Sequence, residues 1–191
     1  RGKPFFMEDG ATNQVASLNL NLNDLAAAIG RVQLKKLPHL VARRRDFVGK
    51  LIEGIHDNDL QAISIPPTVP GAESSYWWWA LKVNAERLTC DEATFCKALS
   101  AEGIPASQMG WNILPHKMEW YTSRRVFGSS GYPWTSPSYM GDPDREFPCP
   151  NATSTVASHV QLVVNENWGD LEVADILTAL KKVESAYLKQ P

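Results

Sequence analysis

From Asn21 to His56 apolar residues recur at helical spacing, over a stretch far longer than the ordinary helix of about 11–12 residues. Leu25, Ala28, Ile29 and Val32 fall on one face, and Leu40, Val41, Phe47, Val48, Leu51, Ile52 and Ile55 resume the pattern. Asn21 and Asn23 are suitable N-caps, and Asp24 suits the positive end of the helix dipole. Pro38 has no N–H to donate and should kink or break the run. The spacing therefore predicts two helices in near continuation, over 22–37 and 39–56. Arg43, Arg44 and Arg45 interrupt the apolar pattern with a basic cluster.

Downstream the period changes. Ile63-Ser64-Ile65 reads as a short extended piece ended by Pro66-Pro67. Tyr76 to Val83 is aromatic and apolar, and reads as a buried strand. Thr89 with Glu92 three residues on has the form of a capping box, opening a helix through Phe95, Cys96 and Leu99 to a C-terminal Gly103. Ile104–Met109 and Val160–Val164 read as further strands. Asp170 is placed to cap a last helix carrying Leu171, Val173, Ile176, Leu177, Leu180, Val183 and Tyr187 on one face. Between them, 110–157 is rich in proline, glycine and aromatic residues. A stretch that long without periodicity is functional or disordered, and its tryptophans and tyrosines argue against disorder. A short helix near 117–126 is expected within it. The expected class is α/β, an α+β small domain with a small, mostly antiparallel sheet covered by helices. Its expected parts are 1–57, an interdomain segment and long kinked helix, and 58–191, a C-terminal small domain holding the aromatic loop 110–157.

Composition excludes several roles. The formal net charge of -2 implies neither a nucleic acid nor an anionic membrane as partner. There is no apolar run of about 18 residues. The chain begins Arg-Gly-Lys-Pro-Phe-Phe, without an initiator methionine or a signal-peptide pattern, which suggests a fragment. Three cysteines, Cys90, Cys96 and Cys149, make no disulfide framework and no metal-ligand spacing.

Chemistry-bearing residues are sparse. No phosphate-cradling glycine loop and no His/Cys cluster occurs. His39, His56 and His159 sit in or beside expected helices and strands, where a structural role is the ordinary one. His116 lies in the aromatic loop, where binding residues concentrate. The arginine run could meet phosphates, although such runs more often make a solvated face. Trp77, Trp78 and Trp79 must alternate across a strand, toward a core or an interface.

The stretch from Leu18 to Arg45, LNLNLNDLAAAIGRVQLKKLPHLVARRR, adds a resemblance. It is similar to the region following the cofactor lysine in the DegT/StrS family of sugar aminotransferases. That family carries a Gly-Tyr-Asn-Tyr-Arg-Met-Thr-Glu-Leu-Gln-Ala-Ala type of motif, then a Gln-Leu-x-x-Leu helix and a run of arginines. Asn19 stands at the family's asparagine, Leu25, Ala27 and Ala28 at its Leu-x-Ala-Ala, and Gln33, Leu34 and Leu37 at its Gln-Leu-x-x-Leu. Leu18 replaces the aromatic before the asparagine and Asn21 the arginine after it. Gly103-Ile104 with Leu114-Pro115-His116, Cys149-Pro150-Asn151-Ala152 and Glu166-Asn167-Trp168 resemble later family segments, and 117–148 matches least.

The resemblance implies the C-terminal part of a fold-type I enzyme using pyridoxal 5'-phosphate. Such enzymes move an amino group from glutamate or glutamine to a keto-sugar, often nucleotide-linked, or to a cyclitol. It implies a cytoplasmic homodimer. The Schiff-base lysine lies upstream in the family, and none of the ten lysines here has its context. No catalytic residue is therefore expected within the chain, which should be inactive alone and expose apolar surface. The resemblance places Asn19 at the cofactor phosphate across the dimer, and His116 and Trp111 in the sugar pocket. A dehydratase of the same family, with histidine in place of the lysine, and a non-catalytic binding module are the alternatives.

Overall fold

The computed structural model describes residues 22–109 and 114–190. They fall into two compact units. One contains 24–109 and 157–190, and the other contains 22–23 and 114–156.

The first unit begins with α1 (Asp24–Asp57), a single helix with Pro38 inside it. The two expected helices are thus one. Pro38 leaves the Leu34 carbonyl without its helical donor, but Leu34 is well exposed and solvent can take that role. Only the C-terminal half of α1 is buried, through Phe47, Val48, Leu51 and Ile55. Its N-terminal half leaves Leu25, Ile29, Val32, Leu34 and Leu37 exposed.

The sheet consists of β1 (Ile63–Ser64), β2 (Trp78–Val83), β3 (Ala106–Gln108) and β4 (His159–Val163), in the order β1-β2-β4-β3. Every described pairing is antiparallel, with Trp79 opposite Leu162 and Leu81 opposite Val160. Trp79, Leu81, Val83, Val160 and Leu162 are buried, whereas Trp78 and its partner Val163 are each 46% exposed. That alternation gives the sheet one covered and one open face. β2 starts later than the sequence pattern suggested because Tyr76 adopts φ 47 and interrupts the extended run. Of the three tryptophans Trp79 alone enters the core; Trp77 and Trp78 stack on each other at 4.7 Å.

α2 (Glu92–Ala101) and α5 (Asp170–Tyr187) complete the core, contributing Phe95, Cys96 and Leu99 from one, and Val173, Ile176, Leu180 and Val183 from the other. The N-cap of α2 is Asp91, whose carboxylate accepts the Thr94 N–H at 2.8 Å. The expected cap, Thr89, instead bonds the Tyr187 carbonyl and ties the end of α5 to the chain before α2. α2 ends as the sequence indicates. Gly103 takes φ 87, its N–H bonds Ser100 O, and the Ile104 N–H bonds Leu99 O, the paired geometry of a Schellman motif. α5 is capped by Gly169, not Asp170, and the Glu172 carboxylate accepts the Gly169 N–H at 2.8 Å. Buried Glu184 on α5 accepts the Ala62 N–H at 2.5 Å, just before β1.

In the second unit α3 (Glu119–Thr122) occupies part of the expected short helix. α4 (Pro150–Ser158) runs out of this unit into β4, across residues that sequence had left as loop. Pro150 was one of the prolines that made the stretch read as irregular, yet proline at a first helical position loses nothing, because that N–H has no helical partner.

Candidate functional site

The site is built within 114–156. Leu114 and Met118 are buried and bracket a 3-10 turn, Pro115–Lys117, which presents His116 between them. Pro115 at the first position of the turn fixes its entry. The His116 Nε2 is buried and has no hydrogen-bond partner among the described residues. A buried imidazole nitrogen left this way carries a desolvation cost that a binding partner could recover.

After α3 the chain turns at Arg124, with φ 56, and then runs without helix or strand to α4. Aromatic contacts hold this run. Trp120 meets Tyr121 edge to face at 5.8 Å, Tyr121 meets Trp134 at 5.8 Å, and Phe127 meets Tyr132 at 5.7 Å. The Arg124 guanidinium lies 4.9 Å from the Tyr121 ring centre and 4.8 Å from that of Trp134. Asp142 accepts the Asp144 N–H at 2.9 Å, a local turn that leads into Arg145, whose guanidinium lies over Phe147.

The result is an open cavity of about 440 Å³, within the usual range for small-molecule sites. His116, Lys117, Tyr121, Thr122 and Arg124 line it together with segment 144–148. Cations, carboxylates, a phenol and a hydroxyl thus face one space. Such a lining suits a polyhydroxylated or charged small molecule, whose oxygens and hydroxyls need both donors and acceptors.

Of the residues singled out from sequence, His116 lies on this cavity. Asn19 and Trp111 lie outside the described residues. Sequence reasoning missed Lys117, Arg124 and Arg145. Their signal was basic residues interleaved with aromatics in a segment lacking periodicity.

The arginine run is engaged elsewhere. Arg44 bonds Glu166 through Nε at 3.0 Å and Nη2 at 2.7 Å. This guanidinium holds the Glu166 carboxyl below the usual carboxylate range. Arg45 bonds the Glu73 carboxylate at 2.7 Å and the Ser74 carbonyl at 2.8 Å. These two arginines therefore tie α1 to loops of the sheet unit.

The described lysines are all exposed or half-buried. Lys50 bonds Asp170 and Asp46, Lys182 bonds Glu102, and Lys189 bonds the Glu86 carbonyl. None of them occupies the water-poor pocket that a Schiff-base lysine requires. The described residues thus fit a polar substrate and do not fit the covalent attachment of pyridoxal phosphate. Among them no group of three His, Cys, Asp or Glu side chains could hold a metal ion, and no helix is long and apolar enough to cross a membrane.

Comparison with known proteins agrees with this architecture. The DegT/DnrJ/EryC1/StrS aminotransferase family model matches residues 5–181. The chain is 37% identical over 59 residues to dTDP-4-dehydro-2,3,6-trideoxy-D-glucose 4-aminotransferase of Saccharopolyspora spinosa, covering 30% of this chain and 15% of that protein. It is 25% identical over 166 residues to an uncharacterized protein of Methanocaldococcus jannaschii, covering 86% of this chain and 37% of the relative. Among solved structures, the aminotransferase TlmJ of Streptoalloteichus hindustanus superposes with a TM-score of 0.62 at 20% identity, over 86% of this chain and 37% of that one. The pyridoxal-phosphate form of Spr1654 from Streptococcus pneumoniae gives 0.62 at 21% identity, over 88% and 37%. The chain therefore spans little more than a third of the length of these structural relatives. With its family motif matched along nearly all its length and the small-domain fold of fold-type I enzymes, the chain belongs to the DegT/DnrJ/EryC1/StrS aminotransferase family.

Proposed function

We propose that this chain is the C-terminal part of a pyridoxal-phosphate-dependent aminotransferase. The complete enzyme, a cytoplasmic homodimer, transfers an amino group from glutamate or glutamine to a keto-sugar, nucleotide-linked, or to a related cyclitol. The family match over residues 5–181 carries this reading. A relative described as a sugar aminotransferase and a neighbour in its pyridoxal-phosphate form support it.

In this reading the cofactor would supply the electron sink, and the lysine that attaches it covalently is not among the residues of this chain. The chain's own residues bind and orient. Asn19, at the position of the family's asparagine, would donate its side-chain N–H to the cofactor phosphate across the dimer. His116 and Trp111 line the sugar pocket. The buried Nε2 of His116 gains a partner when a sugar hydroxyl reaches it. Lys117 and Arg145 offer donors to ring or substituent oxygens, and Thr122 and Tyr121 offer hydroxyls. The chain by itself is inactive.

The test is a visible absorption spectrum of the complete protein with pyridoxal phosphate, before and after glutamate, with the 191-residue chain as control. The expected result is a lysine-linked band in the complete protein that glutamate discharges, and no such band in the chain alone. Cofactor binding without that band would overturn the transaminase reading, and so would no binding.

A further inference from the structure

We propose that Arg124 is a positioning residue that fixes the substrate-facing wall of the cavity formed by 144–147. The proposal rests on the reading of that cavity as the keto-sugar pocket.

Arg124 sits at φ 56, a left-handed conformation that non-glycine residues rarely adopt. That turn sends its side chain back among three separate pieces of chain. The guanidinium contacts the Tyr121 and Trp134 rings at 4.9 and 4.8 Å. Its Nη1 donates to the Tyr121 carbonyl at 3.2 Å, and its Nη2 donates to the Arg145 carbonyl at 3.3 Å. One planar group thus joins α3, the turn carrying Trp134 and the wall carrying Arg145.

No helix or strand lies between Thr122 and Pro150, so no backbone ladder sets the distance from α3 to that wall. Side chains must set it. Arg145 in turn rests its guanidinium on Phe147, so the charged head travels with the wall. Placing Arg124 therefore helps to place Arg145, which lines the same cavity as Lys117 and His116.

A lysine cannot replace this function. Its ammonium is a compact point charge without the rigid planar fork that lets one guanidinium lie against two rings while donating to two separate carbonyls. A wall held in advance lowers the ordering cost of binding and leaves the chemical step alone.

The experiment uses Arg124→Gln and Arg124→Lys in two settings. In the 191-residue chain, amide spectra of both variants should show displaced signals for 144–147 and for the Trp134 indole. Signals of Leu81 and Val160 in the sheet should stay in place. In the complete enzyme, both variants should raise KM for the keto-sugar about ten-fold or more, keep kcat within about two-fold, and leave KM for glutamate unchanged. Displacements confined to 123–125 would overturn the proposal. So would a fall in kcat at constant KM, or full recovery of the wild-type KM by lysine. A complete protein without any turnover would sink the aminotransferase reading, and the amide spectra would still decide the role of Arg124.

Discussion

The most informative perturbation of the fold is at Glu184. Its carboxylate lies on α5, 5% exposed, and accepts the N–H of Ala62, which is 1% exposed. Ala62 immediately precedes the edge strand β1, and its carbonyl accepts the Asn84 N–H at 2.7 Å. Glu184→Ala strips the donor of its partner in a site closed to water. An unsatisfied buried N–H costs about 1–3 kcal/mol. Loss of one packed methylene adds roughly 0.8 kcal/mol. Release of a buried charge offsets part of this, leaving a loss of about 1.5–3 kcal/mol. Glu184→Gln keeps an acceptor oxygen in place and forfeits only the charge-assisted share, about 0.5–1.5 kcal/mol. Urea unfolding followed by far-UV circular dichroism reads both, with the slope unchanged if the denatured state is unaltered. The reasoning predicts that alanine costs clearly more than glutamine. It is refuted if the alanine variant lies within about 0.5 kcal/mol of wild type, or if glutamine is as damaging as alanine.

Three further outcomes are expected. Phe95→Ala, which empties a fully buried position between sheet and helices, should cost about 3–5 kcal/mol in the same unfolding assay; a loss under about 1 kcal/mol would show that α2 is not packed as described. Arg44 depresses the Glu166 carboxyl, so their pair contributes fully above the unfolded carboxylate value of about 4.3 and is lost as pH falls through the lower folded value. Arg44→Ala should flatten that acid limb of a stability-versus-pH curve and cost no more than about 1 kcal/mol at pH 7, since the pair is only half-buried. Burial pushes the Cys96 thiol up, whereas Cys149 is exposed. A thiol-reactive chromophore should label Cys149 in the native chain and Cys96 only after unfolding; rapid labelling of Cys96 would contradict its place in the core.

The regular elements were legible because their signals are local. Apolar spacing located α1, α2 and α5 and the strands within a few residues, and Gly103 marked the end of α2 correctly. Errors fell where two local signals competed. Thr89 and Asp170 both looked like caps, but Asp91 and Gly169 took those places, since cap geometry depends on where the chain enters the helix. Prolines misled twice. Pro38 sits inside a continuous helix and Pro150 opens one.

Of the residues lining the candidate cavity, the sequence singled out His116, through position in an aromatic loop and through family resemblance. Lys117, Arg124 and Arg145 carried no period and no motif. The arginine run illustrates the converse. Three adjacent cations read more often as a solvated face than as a phosphate site, and the structure instead gives Arg44 to Glu166 and Arg45 to Glu73, carboxylates far away in sequence.

What the sequence by itself determined is the layered small-domain class and the family, because hydrophobic period and motif are properties of neighbouring residues. What only tertiary structure decided is the cavity at 116–148 and the setting of its arginines against rings and carbonyls. Those depend on contacts between residues distant along a chain without secondary structure, where ring stacking and a shared guanidinium, not periodicity, set the geometry.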